Sequence, residues 1–477
     1  MRHPRDADAV TAALAPVRCA LRAHRPDEAR AAALAVAARD PGNAEAWYLA
    51  GRAAGQQGDF DAVIDLMGRA DVLRPRDPFI RHALGMEAFR RGDVLGALPD
   101  LELAAATGAP VFRETLAVCL MRLGRGEEAL PHFEAACAAR PGDPLVWVNR
   151  AIALIECRRP AEAEADAARA LALDPGDADA HVTLSTARLL LGRTDERTWR
   201  ELDWVWRQAG TGGSPAPYAV PACPRWRGEA LKGGVLWVRG RDGLGDQIFF
   251  SRFVPLAAER AGVPVVLSAS RALHRLFAGL PGVAGQVDLF DRVEGAAAEI
   301  PLTALPQMFS GFPPPVLPGS PPPQTEGILR LGVVWRGKPE PRDRSVPVAA
   351  LQRTLAGLPV VVSSFQVGPG REERPPDWAD CGGEVADFAD TARLLSQVDL
   401  AVSIDTSFAH LAASLGMPTW ILLVRAADWR WLLEGPDCPW YPAARLFRQV
   451  RAGDWTVPLA ELRIAVEGLL SRGNREP

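Results

Sequence analysis

Residues Val398 to Trp420 read VDLAVSIDTSFAHLAASLGMPTW, and the C-terminal half of the chain is best read outward from them. The apolar run Leu400-Ala401-Val402-Ser403-Ile404 predicts a short buried strand. Asp405, Thr406 and Ser407 follow at once, and these are helix-start residues. Phe408, Leu411, Ala412 and Leu415 then recur at helical spacing until Gly416 and Pro418 end the helix. The unit is a strand, a tight polar turn and a helix N-terminus. Such a terminus presents unpaired backbone N–H groups and the positive end of the helix dipole. It can hold a phosphate, with the hydroxyls of Thr406 and Ser407 as further donors. An ordinary capped helix reads the same way, because Asp and Thr are common caps.

Strands and helices alternate on both sides of this unit. Gly234 to Val238 predicts a strand, followed by the loop Arg239-Gly240-Arg241-Asp242-Gly243-Leu244-Gly245-Asp246. A helix over 247–261, a strand over 263–268, a helix over 271–279 and a strand near 287–290 come next. Alternation of this kind implies a parallel sheet. Residues 301–327 are rich in Pro and Gly and read as an extended linker. A second set opens with a strand from Leu329 to Trp335, the basic loop Arg336-Gly337-Lys338, then Asp343-Arg344-Ser345-Val346-Pro347 and a helix over 348–356. Asp387-Phe388-Ala389-Asp390-Thr391-Ala392 starts another helix, and Leu459 to Leu470 predicts a closing one.

The string IDTSFAHLAASLGMPTWILL resembles the nucleotide-sugar loop of heptosyltransferase-like glycosyltransferases (glycosyltransferase family 9-like), which typically reads D-T-x-x-x-H-L-A-x-A-L-G-x-P. The resemblance continues in Asp428-Trp429-Arg430-Trp431-Leu432-Leu433, in Pro439-Trp440-Tyr441-Pro442 and in Arg445-Leu446-Phe447-Arg448-Gln449, and covers about 235–450. It implies a GT-B architecture of two Rossmann-like α/β lobes, an acceptor lobe over 231–320 and a nucleotide-sugar lobe over 321–477. It also implies metal-independent, inverting transfer from a nucleotide sugar, with the donor as substrate and no further cofactor. Gly243-Leu244-Gly245-Asp246 resembles the family's G-x-G-D loop, whose aspartate is the proposed base. Asp246 is therefore the expected catalytic residue, with helix capping as the alternative, and Gly243 and Gly245 approach the ligand. Arg344 matches the basic residue that contacts the donor phosphates, with Arg336 and Lys338 as further candidates. Asp405 shapes the loop or binds the sugar, while Thr406, Ser407 and His410 lie near the donor. Asp390 and Thr391 are caps or ribose and base contacts. Val367 stands where related sequences often have lysine, which removes one contact.

Residues 1 to about 207 read as helices with a period of 33 to 34 residues. The units are 44–77, 78–109, 110–143 and 144–177. Small residues recur at one position (Gly51, Gly85, Ala117, Ala151) and at another (Ala70, Ala104, Ala136, Ala170). Gly58, Gly92 and Gly124 separate helices within a unit, and Pro75, Pro141 and Pro175 separate units. The pattern resembles a tetratricopeptide solenoid, with weaker capping units on either side. Such an array implies a protein or peptide partner, or else a spacer or dimerisation role. The array is joined to the rest by a Gly/Pro/Ala-rich linker or extended brace at 208–230, anchored by Trp226 beside Arg227.

A chain of 477 residues is too long for one core. Its net charge of −4 argues against nucleic-acid or anionic-membrane partners. No apolar run approaches the length of a membrane span, and MRHPRDADAV lacks the core of a signal peptide. The seven cysteines are scattered without a CxxC pair, so a cytoplasmic, reduced protein with no metal site is expected. Two readings from other classes stand beside the glycosyltransferase acting on a protein: an adaptor whose α/β part has lost activity, and an enzyme that modifies a glycan.

Overall fold

The computed structural model describes residues 4–206, 223–240, 243–315, 317, 328–338 and 343–473. The chain divides into two compact units, Met1–Cys157 and Arg158–Pro477. Asp242 lies outside the described residues, as do most of the 208–230 linker and residues 318–327.

The first unit is a series of helix pairs. Ala44–Gln57 pairs with Phe60–Leu73, Pro78–Arg90 with Val94–Ala105, and Pro110–Arg122 with Gly126–Ala139. The polar residue closing each segment starts the next helix: the side chains of Asn43, Asp59, Asp77 and Asp93 all accept backbone N–H bonds. The small positions are explained by close approach. A Cβ on Gly51 would come within 2.9 Å of Met67 Cε, and one on Gly85 within 2.9 Å of Leu101 Cδ2. Gly58, Gly92 and Gly124 take φ of 74°, 84° and 72°, the left-handed turn that reverses the chain between paired helices.

The second unit begins with the helices Pro160–Leu173, Ala178–Leu190 and Glu196–Leu202 and continues into two parallel sheets. The first sheet contains β1 (Val235–Arg239), β2 (Val265–Ala269), β3 (Val283–Asp288) and β4 (Ala296–Pro301), in the order β3-β2-β1-β4. The second contains β5 (Leu329–Val334), β6 (Val360–Ser364), β7 (Ala379–Asp380), β8 (Leu400–Ile404), β9 (Thr419–Leu423) and β10 (Ala444–Arg448), in the order β10-β9-β8-β5-β6-β7. All strand pairs are parallel. Every residue of β8 and β9 is buried, as central strands covered on both faces require.

Three local expectations need correction. The helix expected over 247–261 is broken into Leu244–Phe250 and Val254–Ala261, joined by one 3-10 turn. Pro255 causes the break, because it lacks the N–H that a continuous helix would use. Strand β4 was not expected: AAAEIP has poor β propensity and is held by its neighbours instead. It pairs with β1, and its Glu299 buries a 2.7 Å ion pair with Arg239. The strand expected near 287–290 runs earlier, over β3. At 223–230 the Trp226 backbone N–H donates to Glu299 O at 2.8 Å, and the Trp226 ring is wholly buried.

Candidate functional site

Both sheets place a loop at a topological switch point. In the first, β1 has β2 on one side and β4 on the other, so the chain reverses its direction of advance beside β1. In the second, β5 lies between β6 and β8, and the reversal falls between β5 and β8. Crevices at the carboxyl ends of such strands are where open α/β sheets bind ligands. The described residues at those ends are Gly240 and Gly243, Arg336–Lys338 and Asp405–Ser407, within the stretches singled out from the sequence.

The first loop leads into the helix Leu244–Phe250 with Gly243 at its N-cap. The Asp246 carboxylate folds back over the helix start, since a Cβ on Gly243 would meet Oδ2 at 2.5 Å. Its Oδ1 accepts from Arg430 Nη2 at 2.5 Å. Gly245 lies against the second sheet: a Cβ there would come within 2.8 Å of His410 Cδ2. Both glycines are thus required by close approach, Gly243 to the carboxylate and Gly245 to the helix Ser407–Ser414.

Thr406 is the N-cap of that helix, in extended backbone, but it does not cap with its side chain. Its hydroxyl turns back to Ser403 Oγ at 3.0 Å. The first intrahelical bond is His410 N–H to Thr406 O, which leaves the opening N–H groups of the helix to the loop side. Asp405 is buried and accepts from Arg344 Nη1 at 2.9 Å, with His410 Nε2 3.9 Å away. His410 also shares a 3.0 Å hydrogen bond with Tyr441 Oη and stacks on Trp431. Burial, then the Arg430 charge, pushes the His410 pKa down to about 3, so the imidazole is neutral at physiological pH. Burial pushes the Tyr441 phenol up to about 12.

The remaining expected residues are placed as follows. Arg336 packs over Gly370 and pairs with Glu373. Lys338 is exposed and, among the described residues, has no hydrogen-bond or ion-pair partner. Asp387 caps the helix Phe388–Leu395, and Thr391 donates to Asp387 O at 3.3 Å. Asp390 accepts from the Ala386 N–H and from Arg275, and these interactions hold its carboxyl below the usual range. Asp390 and Thr391 thus bond at the start of their own helix, with Arg275 from the helix after β2 reaching Asp390, whereas Arg344 and His410 both lie beside Asp405 and Arg430 holds Asp246. Val367 is exposed at the end of β6.

Two residues that matter were not singled out from the sequence. Arg430 is buried between Trp429 (4.3 Å to the ring centre) and Phe249 (5.0 Å), and bonds both Asp246 and Asp428. Burial opposes its charge, but Asp246 and Asp428 more than offset this and raise its pKa. An arginine set between two tryptophans, WRW, is the signal that could have marked it. Gln366 is buried and cross-braces two loops: its Oε1 accepts from Trp335 and Arg336 N–H, and its Nε2 donates to the carbonyls of Arg336, Val367 and Pro369. Nothing in its sequence neighbourhood marks it.

The class of protein these features define is a helical tetratricopeptide solenoid followed by an α/β part with parallel sheets. The tetratricopeptide repeat family matches residues 17–78 and 82–144. Such repeats imply a protein or peptide partner. Protein FlbA of Caulobacter vibrioides is 25% identical over 510 aligned positions, spanning 88% of this chain and 84% of that protein. Among solved structures, YrrB, a TPR protein with an unusual peptide-binding site, is similar at 17% identity and a TM-score of 0.33 over 36% of this chain and 89% of that one. PilF of Pseudomonas aeruginosa is similar at 15% identity and a TM-score of 0.38, over 44% of this chain and 95% of that one. No helix among the described residues is long and apolar enough to cross a membrane.

Proposed function

We propose that the second unit is a GT-B-type glycosyltransferase, transferring a sugar from a nucleotide-sugar donor with inversion and without a metal, to a protein or peptide docked by the repeats. The observation that carries this reading is the close approach, through Gly245 and His410, of the helix that carries Asp246 after β1 to the helix that Asp405, Thr406 and Ser407 open after β8. The helix start and Lys338 supply positive potential for a departing diphosphate. Arg344 becomes a phosphate ligand if the donor takes the place of Asp405 beside it. Asp246 takes the proton of the acceptor hydroxyl as that oxygen attacks the anomeric carbon, and the bond to the diphosphate breaks in the same displacement. Arg430 holds the carboxylate in place through its bond to Oδ1.

A second reading, an inactive adaptor, draws on a specific observation. Arg336, Arg344 and Arg430 are already paired with Glu373, Asp405 and Asp246. A donor must then displace protein carboxylates before it gains phosphate contacts. Isothermal titration with UDP, GDP, ADP and CDP separates the readings. The enzyme reading expects one of them to bind, and more weakly to Arg344→Ala. Binding by none, with or without divalent cation, overturns it. A hydrolysis or transfer assay with the matching nucleotide sugar then distinguishes enzyme from adaptor.

A further inference from the structure

The repeats carry a cleft whose chemistry narrows the kind of partner. It opens between the helices Pro4–Arg22, Ala44–Gln57 and Pro78–Arg90, encloses about 500 Å³, and includes Arg18, Arg22, Tyr48, Arg52, Arg74 and Phe79 in its lining. Glu45, Tyr48 and Arg52 are spaced by three and four residues, so one helix face presents all of them. The two carboxylates of the cleft are already engaged. Glu45 accepts from Arg18 at 3.1 Å and from Arg74 at 3.3 Å. Asp77 caps the next helix, accepting from the Phe79 and Ile80 N–H groups. Arg22 and Arg52 are exposed and have no carboxylate partner among the described residues. The cleft therefore keeps a net positive charge in a chain whose total is −4.

Its walls are aromatic. Phe79 is 57% exposed and stands edge-on to Tyr48, with ring centres 6.5 Å apart, and to Phe112 at 5.2 Å. Arg52 lies over the Tyr48 ring at 6.0 Å. Val111 and Leu145 occupy the same helix position as Phe79 in the next two units and are 55% and 54% exposed. An apolar rail thus leads away from a cationic end.

We propose that this cleft takes an anionic segment of a partner protein, in which an aromatic side chain packs on the open face of Phe79 and neighbouring carboxylates meet Arg22 and Arg52. The proposal rests on the reading that the repeats dock the acceptor, and it names the charge and shape of the docking segment. Nucleic acid fits less well, because the rail beyond the arginines is aliphatic and offers bases no stacking platform.

The test uses the full chain and three fluorescein-labelled synthetic peptides, read by fluorescence anisotropy. The first has Phe flanked by Asp and Glu, the second replaces the acids with Lys, and the third replaces Phe with Ala. The first should bind, and the other two should bind weaker by on the order of tenfold or more. Arg52→Glu and Arg22→Glu should each weaken the first peptide by about the same factor, and raised salt should weaken it further. Both side chains are exposed, so the variants should melt like the parent. Failure of the acidic peptide to bind, equal binding of the basic one, or unchanged affinity in both variants would overturn the proposal. Nucleotide titration of the same preparation reports separately on the glycosyltransferase reading.

Discussion

Asp246 and Arg430 come from different sheets, and each limits what the other can do. Asp246→Asn keeps an acceptor for Arg430 but cannot take a proton. It should lower transfer by about 10²- to 10⁴-fold while leaving donor affinity unchanged. It should also cost stability, on the order of 1 kcal/mol, because a buried guanidinium loses a charged partner that is itself half exposed. Transfer within a few-fold of the parent would reduce Asp246 to a structural ion-pair partner. A second residue-scale effect depends on pH. His410 is held neutral in the folded state, with a pKa of about 3, whereas an unfolded histidine titrates near ~6.5. Between those values the unfolded chain binds the extra proton. The stability contributed by neutral His410 is complete above about 6.5 and is lost as pH falls toward 3. Urea unfolding followed between pH 7 and 4 should show this slope, and His410→Gln should flatten it. An equal slope in that variant would assign the titration to other groups.

At the scale of elements, the helix Leu244–Phe250 approaches Ser407–Ser414 through Gly245. A methyl there meets a buried imidazole that cannot swing away, because Tyr441 and Trp431 hold it. Gly245→Ala should therefore destabilise the protein by about 1–3 kcal/mol, despite a gain in helix propensity. A melting temperature at or above that of the parent would show that the helices slide apart at little cost. The loop that carries Arg430 has its own support. Leu432 adopts φ 57°, a strained conformation for a leucine, and Arg448 and Arg158 donate to the carbonyls of Trp431, Leu432 and Leu433 around it. Arg158 also has positive φ, at 61°, where the repeats before it use glycine. Arg158→Gly should relax that turn and release Leu433, so limited proteolysis should cut residues 428–435 faster in the variant. Unchanged cleavage would mean that Arg448 suffices.

At the scale of the molecule, the helices from Pro160 to Leu202 belong to the same compact unit as the sheets. Trp199 is buried, and its ring contacts Phe250, Phe312 and Trp429. A fragment starting near 223 keeps the buried Trp226 but removes the Trp199 ring from the aromatic cluster behind Asp246. Loss of one buried tryptophan costs about 3–5 kcal/mol, which in a unit of this size corresponds to a melting point lower by on the order of 10 °C. A fragment starting at Arg158 keeps the ring and should melt close to the parent. Equal melting of both fragments would show that Trp199 is only a cover.

Local pattern was enough to establish the repeat period, the turn glycines, the strand–turn–helix unit at 398–420 and the glycine loop before Asp246. These are read from spacing and backbone preference within a few dozen residues, and neighbours in space hardly alter them. The partners of Asp246, Arg344 and Asp405, the bracing by Gln366 and the existence of β4 were decided only in the tertiary structure. Arg430 lies 184 residues from Asp246 in the chain. No local rule links two charges so far apart; they pair because two sheets present their switch-point loops to one another, and a buried guanidinium must then find a carboxylate.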